Sequence, residues 1–167
     1  MAVENKKSTQ ITNADALDGT KTAQYIAGGT LREVVGTVET AAADDALSVY
    51  RMVRVPSNAR ITSILLASDA ITGASASDVG VYQTAANGGA VVDADEFAND
   101  VDISSATAWT EVINQAVAAE KSDVEKMLWE KIGETTDPKR DYDICVTVND
   151  VTAAGTIAMK VRYTTNQ

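Results

Sequence analysis

Hydrophobic residues alternate with polar ones through most of this chain, and helical spacing is clear in one place only. Leu31 to Thr40 carries Leu31, Val34, Val35 and Val38 with Thr and Glu between them. Leu47 to Val55 sets Leu47, Val49, Arg51, Val53 and Val55 on one side, and Ser48, Tyr50, Met52 and Arg54 on the other. A period of two marks a half-buried strand. Pro56-Ser57-Asn58-Ala59 supplies the turn residues that stop it. Arg60 to Ser68 is a second apolar run around Ile61, Ile64, Leu65 and Leu66, and the small-residue stretch Asp69 to Asp78 reads as a loop. Val79 to Gln83 is a strand. Asn87-Gly88-Gly89 is a turn of the kind that needs positive φ. Short strands follow at Ala90 to Val92 and Val101 to Ile103. Near the C-terminus, Tyr142, Ile144, Val146 and Val148 share one face, as do Ile157, Met159, Val161 and Tyr163. Only Asn149 to Gly155 separates these two strands, so the pattern predicts an antiparallel hairpin.

Ser105 to Ala119 fits either a helix or a strand: Trp109, Val112, Ile113, Ala116 and Val117 have helical spacing, but the stretch is rich in β-branched residues. A helix is predicted over 122–132. Ser122 and Glu125 make a capping box at its start. Val124, Met127, Leu128 and Ile132 line one face, and Gly133 is placed to end it. Lys126 and Glu130 sit one turn apart on the other side. Such a short helix depends on packing against the sheets.

Residues 1–29 read as an N-terminal arm and 30–167 as a single β-rich domain, joined at Gly28-Gly29. The arm is polar, with Ile11, Leu17, Tyr25 and Ile26 as isolated apolar anchors and with Lys6, Lys7 and Lys21 making it less acidic than the rest. It is either a solvated tail or a segment that orders against a neighbouring subunit. Strands every ten residues or so, without alternating helices, point to a mainly β fold: an antiparallel β-sandwich or jelly-roll-like barrel.

Composition narrows the function. The chain has 167 residues, enough to bury a core without a metal or disulfide. Aromatics are only 5%, so that core must be built largely from aliphatic side chains. The formal net charge is −10 and the pI about 4.4. A surface this acidic repels phosphate backbones and anionic lipid, which argues against direct nucleic-acid or membrane binding. No stretch reaches the roughly 18 apolar residues of a membrane span. The polar N-terminus has no apolar core of a signal peptide, so a cytosolic protein is expected.

Little in the sequence supports catalysis. There is no histidine, and the single cysteine, Cys145, lies in the apolar-rich run Asp143 to Val148. Ser–His and Cys–His nucleophiles and Cys/His zinc sites are therefore excluded within this chain. No glycine-rich phosphate loop is present. The acidic group Asp93, Asp95, Glu96, Asp100 and Asp102 has oxygen ligands suited to calcium, but Phe97 interrupts the spacing and the loop glycine and terminal Glu of an EF-hand are missing. It reads as a solvated acidic loop with Phe97 as its core anchor. No catalytic residue, metal site or cofactor is assigned, and the chain is expected not to be an enzyme. Trp129 falls off the apolar face of the predicted helix. It either packs on the flanking loop or serves as an exposed anchor for a partner. Ile11, Leu17, Tyr25, Ile26 and Trp129 are thus the candidate partner-binding residues.

One sequence of motifs resembles a known group. Arg54-Val55-Pro56-Ser57-Asn58-Ala59-Arg60-Ile61 is followed by Asp69-Ala70-Ile71-Thr72-Gly73, then by Ser77-Asp78-Val79-Gly80-Val81-Tyr82, and then by Ala90-Val91-Val92-Asp93-Ala94-Asp95 with Phe97. This order is similar to that of the capsid decoration, or cement, proteins of tailed bacteriophages. It covers the middle of the chain, not the arm or the stretch near Ser122. The resemblance implies a structural protein of a phage virion that binds the outside of the capsid and bridges major capsid proteins. It also implies a homo-dimer or homo-trimer, an arm that clasps neighbours, and assembly in the host cytoplasm. Three other readings stand beside it. One is a tail, connector or fibre component. Another is a carbohydrate-binding sandwich using Trp109, Tyr50 and Tyr82. The last is an enzyme that uses carboxylates alone, with Asp93 and Asp95 as its candidates.

Overall fold

The computed structural model describes residues 6–42, 44–113, 121–150 and 153–165. Eight strands run in chain order: β1 (Leu31–Thr40), β2 (Ser48–Pro56), β3 (Ala59–Ser68), β4 (Ser77–Gln83), β5 (Val91–Val101), β6 (Thr107–Glu111), β7 (Asp141–Val148) and β8 (Gly155–Thr165). Among the described residues, two short helices, α1 (Thr9–Ala14) and α2 (Leu128–Lys131), and 3-10 turns at Ala85–Asn87 and Lys121–Glu125 complete the elements.

The strands form two antiparallel sheets, ordered β1-β8-β3-β6 and β2-β7-β4-β5. The first strand pairs with the last, the second with the seventh, the third with the sixth and the fourth with the fifth. The chain is therefore one long hairpin, closed at β4–β5. Winding that hairpin on itself adds the β3–β8 and β4–β7 pairings. This is the double Greek key of a jelly roll, in the form of a two-sheet sandwich rather than a closed barrel.

The inward faces meet in one apolar cluster that includes Ile61, Ile64, Leu66, Val79, Val81, Phe97 and the alternating residues of β7 and β8. The faces predicted for β7 and β8, and Phe97 as an anchor, are found there. The predicted hairpin between them is not. β7 and β8 lie in different sheets. Adjacent strands in sequence are usual neighbours in space, but the wound hairpin makes β8 the partner of β1.

β2 also departs from the predicted alternation. Val49 and Arg51 face outward, while Tyr50, Met52, Val53 and Val55 are buried. A bulge between Arg51 and Val53 shifts the register by one residue, so the inward parity changes midway. The charged Arg51 inside an apolar series was the visible trace of that shift. The acidic stretch expected as a loop belongs to β5. This strand pairs irregularly with β4, and its partners jump from Val81↔Asp93 to Val79↔Ala98. The intervening residues arch over Gly80. A Cβ there would lie 2.2 Å from the Ala94 carbonyl oxygen, so only glycine fits. Of the ambiguous stretch, Thr107–Glu111 is strand β6; residues 114–120 lie outside the described residues.

The helix predicted over 122–132 is not continuous. A 3-10 turn at Lys121–Glu125 and the single turn of α2 replace it. Val124 is exposed, whereas Leu128 is fully buried and Ile132 packs against the core. The box at the helix start is shifted: Glu130 Oε2 accepts from the Met127 N–H at 2.8 Å. Gly133 does end the helix, with φ +79° and its N–H donating to Glu130 O at 3.2 Å. Burial of Leu128 in the core outweighs the weak nucleation of so short a helix.

Candidate interaction surface

Cys145 and the carboxylates come first as possible chemistry. Cys145 is fully buried, and burial pushes its thiol up to about 12. It is held in thiol form and out of reach of solvent. Its outward-facing neighbours on β7, Asp143 and Thr147, are buried as well. Thr147 Oγ1 is 2.6 Å from the Tyr82 hydroxyl. Asp143 lies between Arg51 (2.9 Å) and Arg54 (2.7 Å). Burial alone would raise the Asp143 carboxyl, but the hydrogen bonds from Arg54 and Arg51 outweigh it and hold the group below its usual range. Arg51 also donates to the carbonyls of Gln83 and Gly89 at 2.8 Å, which ties the β4–β5 turn to β2. The open depression of about 350 Å³ beside these residues is thus floored by arginines already engaged with a carboxylate.

Most aspartates at the loop end of the sandwich cap backbone groups. Asp44 accepts from Ala41 N–H and Tyr50 hydroxyl, Asp69 from Thr156 N–H, Asp78 from Asp100 N–H and Asn149, and Asp102 from Ser104 N–H. In β5, Asp95 N–H donates to Asp93 Oδ1 at 3.2 Å and Asn99 to Asp95 at 3.0 Å. Burial raises the Asp93 carboxyl, and the Asn99 bond lowers that of Asp95. Among the described residues no three carboxylates or thiols converge as a metal would need. Glu96 pairs with Lys131 at 3.1 Å, and that ammonium sits 5.0 Å from the Phe97 ring centre. This half-buried pair docks α2 on β5.

Exposed apolar side chains are spread over the arm and both sheets: Ile11 and Leu17 on the arm, Val49 and Val91 on the β2-β7-β4-β5 sheet, and three on the β1-β8-β3-β6 sheet. On its outer face Leu31 is 58% exposed, Val35 56% and Trp109 44%. Lys160 on β8 caps Trp109 at 4.1 Å, a close cation–π contact. Tyr50 and Tyr82 are buried, so they form no flat aromatic face with Trp109 of the kind a sugar platform requires.

The arm crosses the end of the same face. The Tyr25 carbonyl accepts from Arg60 Nε at 2.7 Å and from Thr164 Oγ1 at 2.8 Å. Arg60 also reaches the Val124 carbonyl at 3.1 Å. One guanidinium therefore holds the arm, β3 and the 121–125 turn together. Tyr25 and Ile26 are half-buried at this latch, while Ile11 and Leu17 further out are exposed. Around Ile11 the arm forms α1, capped by Ser8 and by the exposed Lys7–Asp15 pair at 2.7 Å. Trp129 packs on the flanking segments: its N–H donates to Ser57 O at 3.1 Å, and its ring Nε1 lies 3.3 Å from Met127 Sδ. The five candidates marked in the sequence thus fall in three places: Ile11 and Leu17 outside, Tyr25 and Ile26 at the latch, Trp129 within α2. Leu31, Val35 and the Arg60 latch carried no signal that set them apart from ordinary strand residues.

Fold and surface together define a jelly-roll sandwich with a latched arm and a few exposed apolar side chains on its sheet edges. No protein-family profile matches the sequence, and no curated protein matches it. Among solved structures, the chain is similar to one from the cyanophage Pam1 capsid asymmetric unit. The TM-score is 0.50 and the identity 15%, over 82% of this chain and 86% of that one. At that identity the likeness is one of fold.

Proposed function

We propose that this chain is a structural protein of a tailed-phage virion, seated on the outer surface of the capsid and bridging major capsid proteins. The observation that carries this reading is the jelly roll held in common with a chain of a phage capsid over most of both lengths. The motif order from Arg54 to Phe97, which resembles that of decoration proteins, supports it. So do an acidic body suited to basic patches on a shell, and an arm fixed at Tyr25 with exposed Ile11 and Leu17 beyond. Exposed apolar anchors on a tethered segment bind well when many copies act on one shell. In this role the chain is not an enzyme: its thiol is buried and its aspartates serve as loop caps. It assembles onto shells in the host cytoplasm.

The test is to add purified chain to capsids that lack it and to image them by electron microscopy. Regular density outside the shell is expected. Density on the tail or connector would assign it there instead, and shells left bare at micromolar protein would defeat the proposal.

A further inference from the structure

Sheet edges expose unpaired backbone groups, and folded proteins usually block them with bulges, prolines or short strands. Three of the four edge strands here are blocked in that way. β2 carries the Arg51/Val53 bulge and ends at Pro56. β5 has three register shifts against β4. β6 has five residues and a shift of its own. β1 has no bulge, proline or shortening, and its ten residues pair with β8 without a single irregularity; charged side chains, a further device, are present on it as exposed Arg32, Glu33 and Glu39. Among the described residues no strand bonds to its other edge. The arm crosses over Thr164 and Arg60 rather than along that edge.

Only part of the edge is open. At Gly36 the two sheets pinch together, and a Cβ there would lie 2.0 Å from the Met52 carbonyl oxygen. The half from Leu31 to Val35 precedes that pinch. It carries the two exposed apolar side chains of the strand, four residues apart and on one face.

We propose that residues 31–35 of β1 pair antiparallel with the same residues of a second copy of this chain, about a two-fold axis at Glu33. This register places Leu31 of one copy opposite Val35 of the other, and the reverse, so both exposed side chains are covered by one isologous contact. It joins the two β1-β8-β3-β6 sheets into a continuous eight-stranded sheet. The axis brings the two Glu33 side chains face to face, each already held by its own Arg162 at 2.7 Å, which offsets their repulsion. Both copies carry −10, so the pairing strengthens with added salt, as screening reduces long-range repulsion. The inference concerns the free chain and stands whether or not it binds a capsid. The solution test and the shell-binding test can therefore fail separately.

Single cysteines read the register, because native Cys145 is buried. Directly opposed residues in an antiparallel pair have Cα atoms roughly 4.5–5.5 Å apart, within disulfide range. Under mild oxidation of the full-length protein, Glu33→Cys forms a covalent dimer. Val35→Cys does not, since the two copies of residue 35 lie roughly 13 Å apart in this register. In sedimentation equilibrium the unmodified chain dimerises, and Val35→Glu raises its dissociation constant at least about tenfold. Trp109→Ala, at the far edge of the same sheet, leaves it unchanged. A chain that stays monomeric across the micromolar range, or a Val35→Cys variant that cross-links as readily as Glu33→Cys, overturns the proposal.

Discussion

The pinch at Gly36 gives the sharpest test of the packing. Gly36→Ala adds one methyl group directed at the backbone of β2: 2.0 Å from Met52 O, 2.9 Å from Met52 C and 3.2 Å from Val53 Cγ1. A carbon and a carbonyl oxygen rest more than an ångström further apart than the first of these distances. No side-chain rotation relieves the contact, because the obstacle is main chain. β1 must retreat from β2, and that loosens Val34 and Val38 from the core they pack against. Forced overpacking of this kind costs about 1–3 kcal/mol, and a backbone obstacle places it near the top of that range. Alanine in place of glycine also stiffens the unfolded chain, which returns about 0.4–1 kcal/mol. A net loss of about 2 kcal/mol follows, or a fall in Tm of roughly 4–8 °C for a domain of this size. Calorimetry with a urea titration measures it, and circular dichroism checks that the sheets persist. A loss under about 0.5 kcal/mol, the range of an ordinary surface change, would show that the two sheets do not close against each other at this edge.

Other expectations follow from the polar contacts and the buried thiol. Asp143 has a lowered carboxyl, so it contributes stability above its unfolded value of about 3.9 and loses it as pH falls through the lower folded value. Urea midpoints should therefore drop as the solution is acidified below about pH 4. Asp143→Asn should flatten that dependence and weaken the fold at neutral pH. Cys145 should resist thiol reagents in native buffer and react only as fast as the domain unfolds; rapid labelling of folded protein would contradict its burial. Arg60→Ala should release the arm, seen as faster proteolytic cleavage between residues 15 and 29, with a cost to the body of about 1 kcal/mol or less because part of the guanidinium is solvated. Tyr82→Phe leaves the buried Thr147 hydroxyl without its partner and should cost about 1–2 kcal/mol in a urea titration.

Much of the fold was legible because alternation is a local signal. β3, β4, β7 and β8 were marked by their own residues, and the inward faces of β7 and β8 were readable in full. What was not legible depends on distant chain. Nothing in Tyr142 to Tyr163 states that β8 pairs with β1 instead of its neighbour in sequence. The β2 bulge puts Tyr50 and Met52 inside and Val49 outside, and only the misplaced Arg51 hinted at it. The predicted helix failed because good capping residues at Ser122 and Glu125 were outweighed by the docking of Leu128 and of Lys131 on Glu96. Of the surface, the exposed arm residues could be picked out as apolar islands in polar sequence. Leu31 and Val35 could not, since an exposed valine and a buried one look alike until the sheet order is known.

The pairing of first strand with last has a cost during synthesis. Glu33 and Arg162, which meet across that pair, are 129 residues apart in the chain. A nascent chain can close only the β4–β5 end early, and its first strand waits uncovered until the final one leaves the ribosome. Contacts of such long range slow folding and leave strands open to wrong partners in the meantime. A chain cut short before residue 155 would lack one of the two central strands of a whole sheet, so truncation should yield aggregate rather than a smaller working domain.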